Sequence, residues 1–153
     1  LVLGHITQAM FSYILCKQEF KDSLNTTPTV SGDLTIFQNF VKLIEDNYYK
    51  QLSIPDYAKL LSVTESKLKD MCRRFSSLPP KRMIFERILL EAKRRLVYSD
   101  KSINQIANDL GFADPSYFAR FFVRSVGQTP SQWRKRSKNV HNLYQDIHHM
   151  SSV

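Results

Sequence analysis

Three helix starts, separated by hard stops, are written into residues 102–134, SINQIANDLGFADPSYFARFFVRSVGQTPSQWR. Ser102 with Gln105 three residues later predicts a capping box, and Ile103, Ile106, Ala107 and Leu110 follow at the spacing of one helix face. Gly111 ends that helix, because a residue without Cβ takes the left-handed conformation of a tight reversal, with Phe112 packing behind it. Asp114-Pro115 is an acidic N-cap followed by proline at the first helical position, where the missing N–H costs nothing. In the next helix Tyr117, Phe118, Phe121 and Phe122 are expected to form one broad apolar face, leaving Ser116, Ala119, Arg120, Val123 and Arg124 outside. Gly127 closes it, and Thr129-Pro130 with Gln132 makes a third capped start. Helix, glycine turn, then a second helix with a small, polar or basic outer edge is the plan of a helix-turn-helix.

The same plan recurs upstream. Ile54, Ala58 and Leu61 fall on Ile103, Ala107 and Leu110 at a separation of 49, and past one inserted residue Leu68, Cys72, Arg74 and Pro80 fall on Phe118, Phe122, Arg124 and Pro130 at a separation of 50. Ser53-Ile54-Pro55-Asp56 predicts another capping box, with Tyr57 on the buried side, and Thr64 an N-cap for a helix running to Phe75. In that helix Leu68, Met71 and Cys72 point inward, while Glu65, Ser66, Lys69, Asp70 and Arg73 point outward. Between the units Pro79-Pro80 opens a long helix with Ile84, Ile88, Ala92 and Leu96 in step. At 1.5 Å per residue it spans roughly 30 Å, close to the separation of about 34 Å between adjacent major-groove segments on one DNA face. Its Lys93-Arg94-Arg95 run reads either as a solvated face or as a phosphate contact.

The formal net charge is +8, and its placement is uneven. Residues 1–50 hold four Lys/Arg and five Asp/Glu, the remainder eighteen and nine, so the positive field belongs to the part with the repeats. Such a surface draws a polyanion by a salt-sensitive, sequence-independent attraction. Cys16 and Cys72 form no metal-binding spacing with His5, His141, His148 or His149, so the expected metal and cofactor content is none and both thiols read as small apolar groups in a reducing cytoplasm. No run reaches the roughly 18 apolar residues of a membrane span.

Ile103, Ile106-Ala107, Leu110-Gly111-Phe112, Ser116-Tyr117-Phe118, Arg120, Phe122, Gly127, Thr129-Pro130, Trp133 and Arg134 together resemble the C-terminal signature of the AraC/XylS family of bacterial transcription regulators. The resemblance implies an all-α fold in which two helix-turn-helix subdomains are joined by a long linker helix. It implies double-stranded DNA as partner, RNA polymerase as a second partner, and no catalysis. The upstream copy departs from the pattern at Ser62, where a turn glycine is expected, at Cys72 in place of an aromatic residue, and at Ser77 in place of a glycine. These changes predict a looser first unit.

The expected organisation places an extra N-terminal helix at residues 1–24, a linker at 25–33, a first helix-turn-helix subdomain at 34–78 with its leading helix capped by Asp33, a connecting helix at 79–99, a second subdomain at 100–136 and a tail at 137–153. The N-terminal helix reads either as the end of a regulatory or dimerisation domain, which would make the protein a homodimer, or as an ordinary helix packed on the bundle. Val140, Leu143, Tyr144 and Ile147 suggest a short terminal helix.

Base edges in the major groove present paired acceptors to Arg or Lys and a donor–acceptor pair to Asn or Gln. The resemblance places base contacts on the exposed face from Asp114 to Arg120, with Ser116 and Ala119 on it; Arg120, the one long cationic side chain there, reads either as bidentate to a guanine or as a phosphate contact or an ion pair with Asp114 or Asp109. Ser66, Lys69 and Asp70 form the upstream equivalent, Asp70 standing where a basic residue is frequent and either accepting from a cytosine amino group or pairing with Lys67 or Arg73. Arg73, Arg74, Lys81, Arg82, Arg124, Thr129, Gln132 and Arg134 are the expected phosphate contacts. Two rival classes remain open from sequence. A DNA-repair alkyltransferase needs a zinc-binding cysteine cluster that two distant cysteines do not supply, and a helical protein-interaction module would use the basic face for an acidic partner.

Overall fold

The computed structural model describes residues 28–139, with side chains from residue 32. Helix α1, Pro28–Asn47, is followed by a 3-10 turn, Tyr48–Lys50. Helices α2, Ile54–Leu60, and α3, Glu65–Ser76, form the first unit. Helix α4, Pro80–Tyr98, connects it to α5, Ile103–Asp109, and α6, Pro115–Val126. A further helix, α7, covers residues 130–139. Among the described residues there is no strand.

The repeat read from the sequence is a repeat in space. The first helix of each unit has 7 residues and the second has 12. Both first helices open on a reciprocal box: Ser53 and Asp56 exchange side-chain to backbone bonds, as do Ser102 and Gln105 at 2.8 and 3.2 Å. Thr64 and Asp114 cap the second helices through Lys67 N and Ser116 N. The inter-helix turns also match. Ser62 N donates to Lys59 O and Val63 N to Ala58 O, while Gly111 N donates to Asn108 O and Phe112 N to Ala107 O, all between 2.9 and 3.0 Å. Ser62 and Ser77 take up the left-handed corners, φ 55° and 58°, that Gly111 and Gly127 occupy in the second unit at φ 82° and 77°. The first unit therefore keeps the turn geometry with serine at both corners, at a cost on the order of 1 kcal/mol each.

One apolar core runs through both units. Phe37, Phe40 and Ile44 of α1 pack with Tyr57, Leu68, Met71 and Cys72, and α4 contributes Ile84, Ile88, Ala92 and Leu96 in the predicted register. Tyr57 meets Phe40 edge-on, with ring centroids 5.5 Å apart. Phe112 is buried against Phe118 and Phe121, and Trp133 of α7 closes the far end on Phe122. Burial pushes the Cys72 thiol up to about 12 and the Tyr57 phenol likewise.

Four expectations need correction. Residues 28–33 are helical rather than linker, because Pro28 sits in the first turn, where proline is tolerated, and the helix runs on through Gly32. Asp33 therefore lies inside α1 and is not a cap; its carboxylate pairs with Lys67 at 2.7 Å and Arg74 at 3.6 Å on α3. The second subdomain does not end at 136, since α7 crosses that boundary. The Lys93-Arg94-Arg95 run is not a solvated face: Lys93 lies buried over the Trp133 ring at 5.0 Å, and Arg95 bonds Glu91 and Asp109. Only Arg94 stays exposed, and it is held on Glu91 at 2.7 Å. The expected helices at 1–24 and from Val140 onward lie outside the described residues.

Candidate nucleic-acid interface

The outer faces of α3 and α6 contribute nothing to the core, and the caps explain why they face outward. Each N-cap fixes where its helix begins, so the periodicity turns Leu68, Met71 and Cys72, or Phe118 and Phe122, inward and sends the residues between them out. On α6 the exposed set is Ser116, Tyr117, Arg120, Val123, Arg124 and Ser125. Arg120 has a 64% exposed side chain, and its nearest counter-ion is Asp114 at 3.7 Å, a contact too long and too wet to hold it. Asp114 itself is committed to the cap, accepting from Ser116 N at 2.8 Å. Ala119 is half-buried on the flank of this face.

Tyr117 was misassigned from sequence. Grouped with the aromatic face, it is in fact 53% exposed, its ring 5.8 Å from that of Phe112. A helical wheel centred on Phe118 and Phe122 rather than on the aromatic cluster as a whole would have found it.

On α3, Ser66, Lys69, Asp70 and Arg73 are all exposed as expected. Asp70 pairs with Arg73 at 3.7 Å and Lys69 with Glu65 at 3.6 Å, while Lys67 turns away to Asp33. The charges on this face cancel within the helix, whereas the α6 face carries Arg120 and Arg124, with Asp114 3.7 Å from Arg120. The α6 face is the more positive of the two.

The expected phosphate contacts divide by what already holds them. Lys81, Arg82 and Arg124 are exposed; Lys81 lies over the Phe85 ring and Arg82 pairs with Glu86 at 2.6 Å. Arg74 lies on the α1 side, shared between Asp33 and the Phe75 ring. Thr129 and Gln132 are occupied with one another as the α7 cap. Arg134 reaches back from α7, donating Nε–H to Leu96 O at 3.1 Å and Nη2–H to Lys101 O at 2.7 Å, so it ties the end of α4 to the last helix.

Behind this surface lies a charged cluster that the sequence reading missed. Glu91, 5% exposed at mid-α4, accepts from Arg94 and Arg95 and lies 3.6 Å from Arg87. Those hydrogen bonds, with Arg94 foremost, hold its carboxyl down at about 2 against the opposing effect of burial. Arg95 passes the contact on to Asp109 of α5, which Lys101 also reaches at 2.6 Å. The i−4, i+3 and i+4 spacing of the three arginines about Glu91 was the available signal.

Two paired short helices of matched length, repeated across a 19-residue connector with outward second helices, define a double helix-turn-helix DNA-binding domain. A family model described as a helix-turn-helix domain matches residues 57–136, more than half of the chain, and the chain belongs to that family, in its AraC-type form. A raffinose operon transcriptional regulatory protein from Pediococcus pentosaceus is 30% identical over 121 residues, covering 76% of this chain and 44% of its own length. The solved structure of a transcriptional regulator with an AraC-type DNA-binding domain from Chromobacterium violaceum is 25% identical, with a TM-score of 0.62 over 70% of this chain and 96% of that one. The DNA-binding domain of AdpA, solved in complex with a target DNA, shares the fold at 20% identity, with a TM-score of 0.63 over 67% of this chain and 93% of that one. The chain spans less than half the length of the curated relatives it matches. Family and fold are those of a helix-turn-helix DNA-binding domain. No helix among the described residues is long and apolar enough to cross a membrane.

Proposed function

We propose that the chain is the DNA-reading part of a cytoplasmic transcription regulator, inserting α3 and α6 into successive major-groove segments of one duplex. The observation that carries this reading is the pair of 12-residue helices with core-free outer faces, joined by a connector of 19 residues, about 28 Å at 1.5 Å per residue. Arg120 is the leading base reader, directed to a guanine, with Tyr117 and Ser116 beside it and Ala119 at the edge. Asp114 acts through the cap that starts α6. On α3, Ser66 and Lys69 face the groove, and Asp70 accepts from a cytosine amino group or stays with Arg73.

Lys81, Arg82, Arg73 and Arg124 clamp phosphates around these helices, and the N–H groups at the start of α7, set by Thr129 and Gln132, add a neutral contribution. Arg74 and Arg134 are assigned instead to the fold. The relatives' printed functions support regulation of transcription; RNA polymerase contact and homodimerisation follow the family resemblance. Selection of bound sites from a random duplex pool, followed by mobility shift of the selected site and a scrambled duplex at two salt concentrations, tests the proposal. The selected site should retain preferential binding as salt rises, whereas equal binding to both duplexes would refute base reading, and no shift of either at low salt would favour a protein-interaction module.

A further inference from the structure

The two units touch each other directly, away from both recognition helices. The segment that leaves α1, Tyr48–Gln51, lies against the turn between α5 and α6. Gln51, itself in the left-handed conformation at φ 53°, donates from Nε2 to the carbonyl oxygen of Leu110 at 2.9 Å, across 59 residues of chain. Next to it the Tyr49 carbonyl presses onto Gly111 so closely that a Cβ there would overlap the carbonyl oxygen, with the Gln51 Cγ a further 3.1 Å neighbour. Gly111 is thus required twice, for its positive φ and for this approach, whereas Gly127, with a similar φ, meets nothing within 4 Å.

A second link runs parallel to the first. Glu45 of α1 takes both its oxygens to Arg87 Nε at 2.8 Å, Arg87 stacks over the Tyr48 ring at 4.3 Å, and Glu91 and Arg95 carry the chain of charges to Asp109 at the end of α5. The loop contact and the charge chain both join α1 and its following turn to the α5–α6 unit.

We propose that Gln51 is a specificity-determining positioning residue: its bond to Leu110, seated on Gly111, locks the second helix-turn-helix against the first and so fixes the spacing of groove segments that the protein accepts. The inference rests on the two-groove reading above and assigns to this contact the choice of spacing. A free connector helix bends at small cost, and a bipartite binder with a compliant joint accepts several spacings; a locked joint is pre-organised for one. Gln51 is assigned no contact with DNA.

The test has two arms. In the first, spin labels at Ser66→Cys and Ser116→Cys, in a chain whose native cysteines are replaced, report the distance between α3 and α6 without DNA. Gln51→Ala should broaden that distribution, and an unchanged distribution overturns the lock whatever the protein binds. In the second, wild type and Gln51→Ala are compared on the selected duplex and on duplexes with one base pair inserted or removed between the two contact segments. The variant should lose about three- to tenfold of the preference for the native spacing, the size of one hydrogen bond's net contribution, while keeping its affinity for a single segment. An unchanged preference, or an equal loss on every duplex, overturns the proposal. Should wild type bind no duplex selectively while the label distance still responds to Gln51→Ala, the lock stands and the DNA reading fails.

Discussion

Ser62 and Gly111 hold the same left-handed corner, 49 residues apart, and only the glycine is pressed by a neighbouring backbone. The two sites should therefore respond oppositely to substitution. Ser62→Gly removes the strain of a side chain at positive φ and gives back part of that in unfolded-chain entropy, for a net stabilisation of about 0.5 kcal/mol. Gly111→Ala adds both strain and overlap with Tyr49 and should cost more than about 2 kcal/mol. Urea denaturation of the two variants checks the pair, and equal effects at both sites would contradict the close approach at Gly111.

Glu91 is the buried acceptor shared by Arg94 and Arg95, with Arg87 at 3.6 Å; Arg87 and Arg95 keep Glu45 and Asp109 as second partners, and Arg94 is exposed. Glu91→Gln should cost about 1.5–3 kcal/mol, the range for hydrogen bonds to a charged group. In the folded state its pKa is depressed to about 2 from the ordinary carboxyl value of 4.5. Its contribution is therefore complete above about pH 4.5 and lost as pH falls towards 2. A stability–pH curve of wild type should fall through that window, and the curve of Glu91→Gln should be flatter there.

Variants at Arg120 and Lys81 test the proposed split between base reading and phosphate clamping. Arg120→Ala should cost about 1–3 kcal/mol at one base position and relax selection there, while Lys81→Ala should weaken binding to all sequences alike and lower the salt slope by about one. Titrations of cognate and scrambled duplexes over a salt series measure both. Equal losses on both duplexes for Arg120→Ala would remove it from the base-reading set.

Arg134 makes the contrast sharper, because its guanidinium is spent on the Leu96 and Lys101 carbonyls. Arg134→Met should lower stability by about 1.5–3 kcal/mol, the range for hydrogen bonds from a charged donor. It should leave the salt dependence of DNA binding unchanged. A shallower slope with unaltered melting would return Arg134 to the phosphate contacts.

What was legible in the sequence was local. Caps, glycine corners and apolar periodicity each involve residues within a turn or two, and Ser53, Thr64, Ser102, Asp114 and Thr129 all start helices where their neighbours predict. Asp33 misled because a helix interior tolerates an acid that finds cations on another helix, and Lys67 and Arg74 are more than thirty residues away. Lys93 and Arg95 misled for the same reason: their partners Trp133 and Asp109 are brought by tertiary packing, and a basic run reads as surface until those are known. Of the candidate site, the exposed faces of α3 and α6 were recoverable from periodicity apart from Tyr117. Which basic residues are held within the fold, as Arg74 and Arg134 are, was not.

The seat of Cys72 gives the molecule a built-in clock. Sealed on the inner side of α3 and kept protonated by its surroundings, this sulfur offers no thiolate to an alkylating reagent while the first unit stays closed. Modification of the peptide that carries it should wait on opening events, so the rate at which iodoacetamide reaches that single atom measures how often the first reading head comes apart.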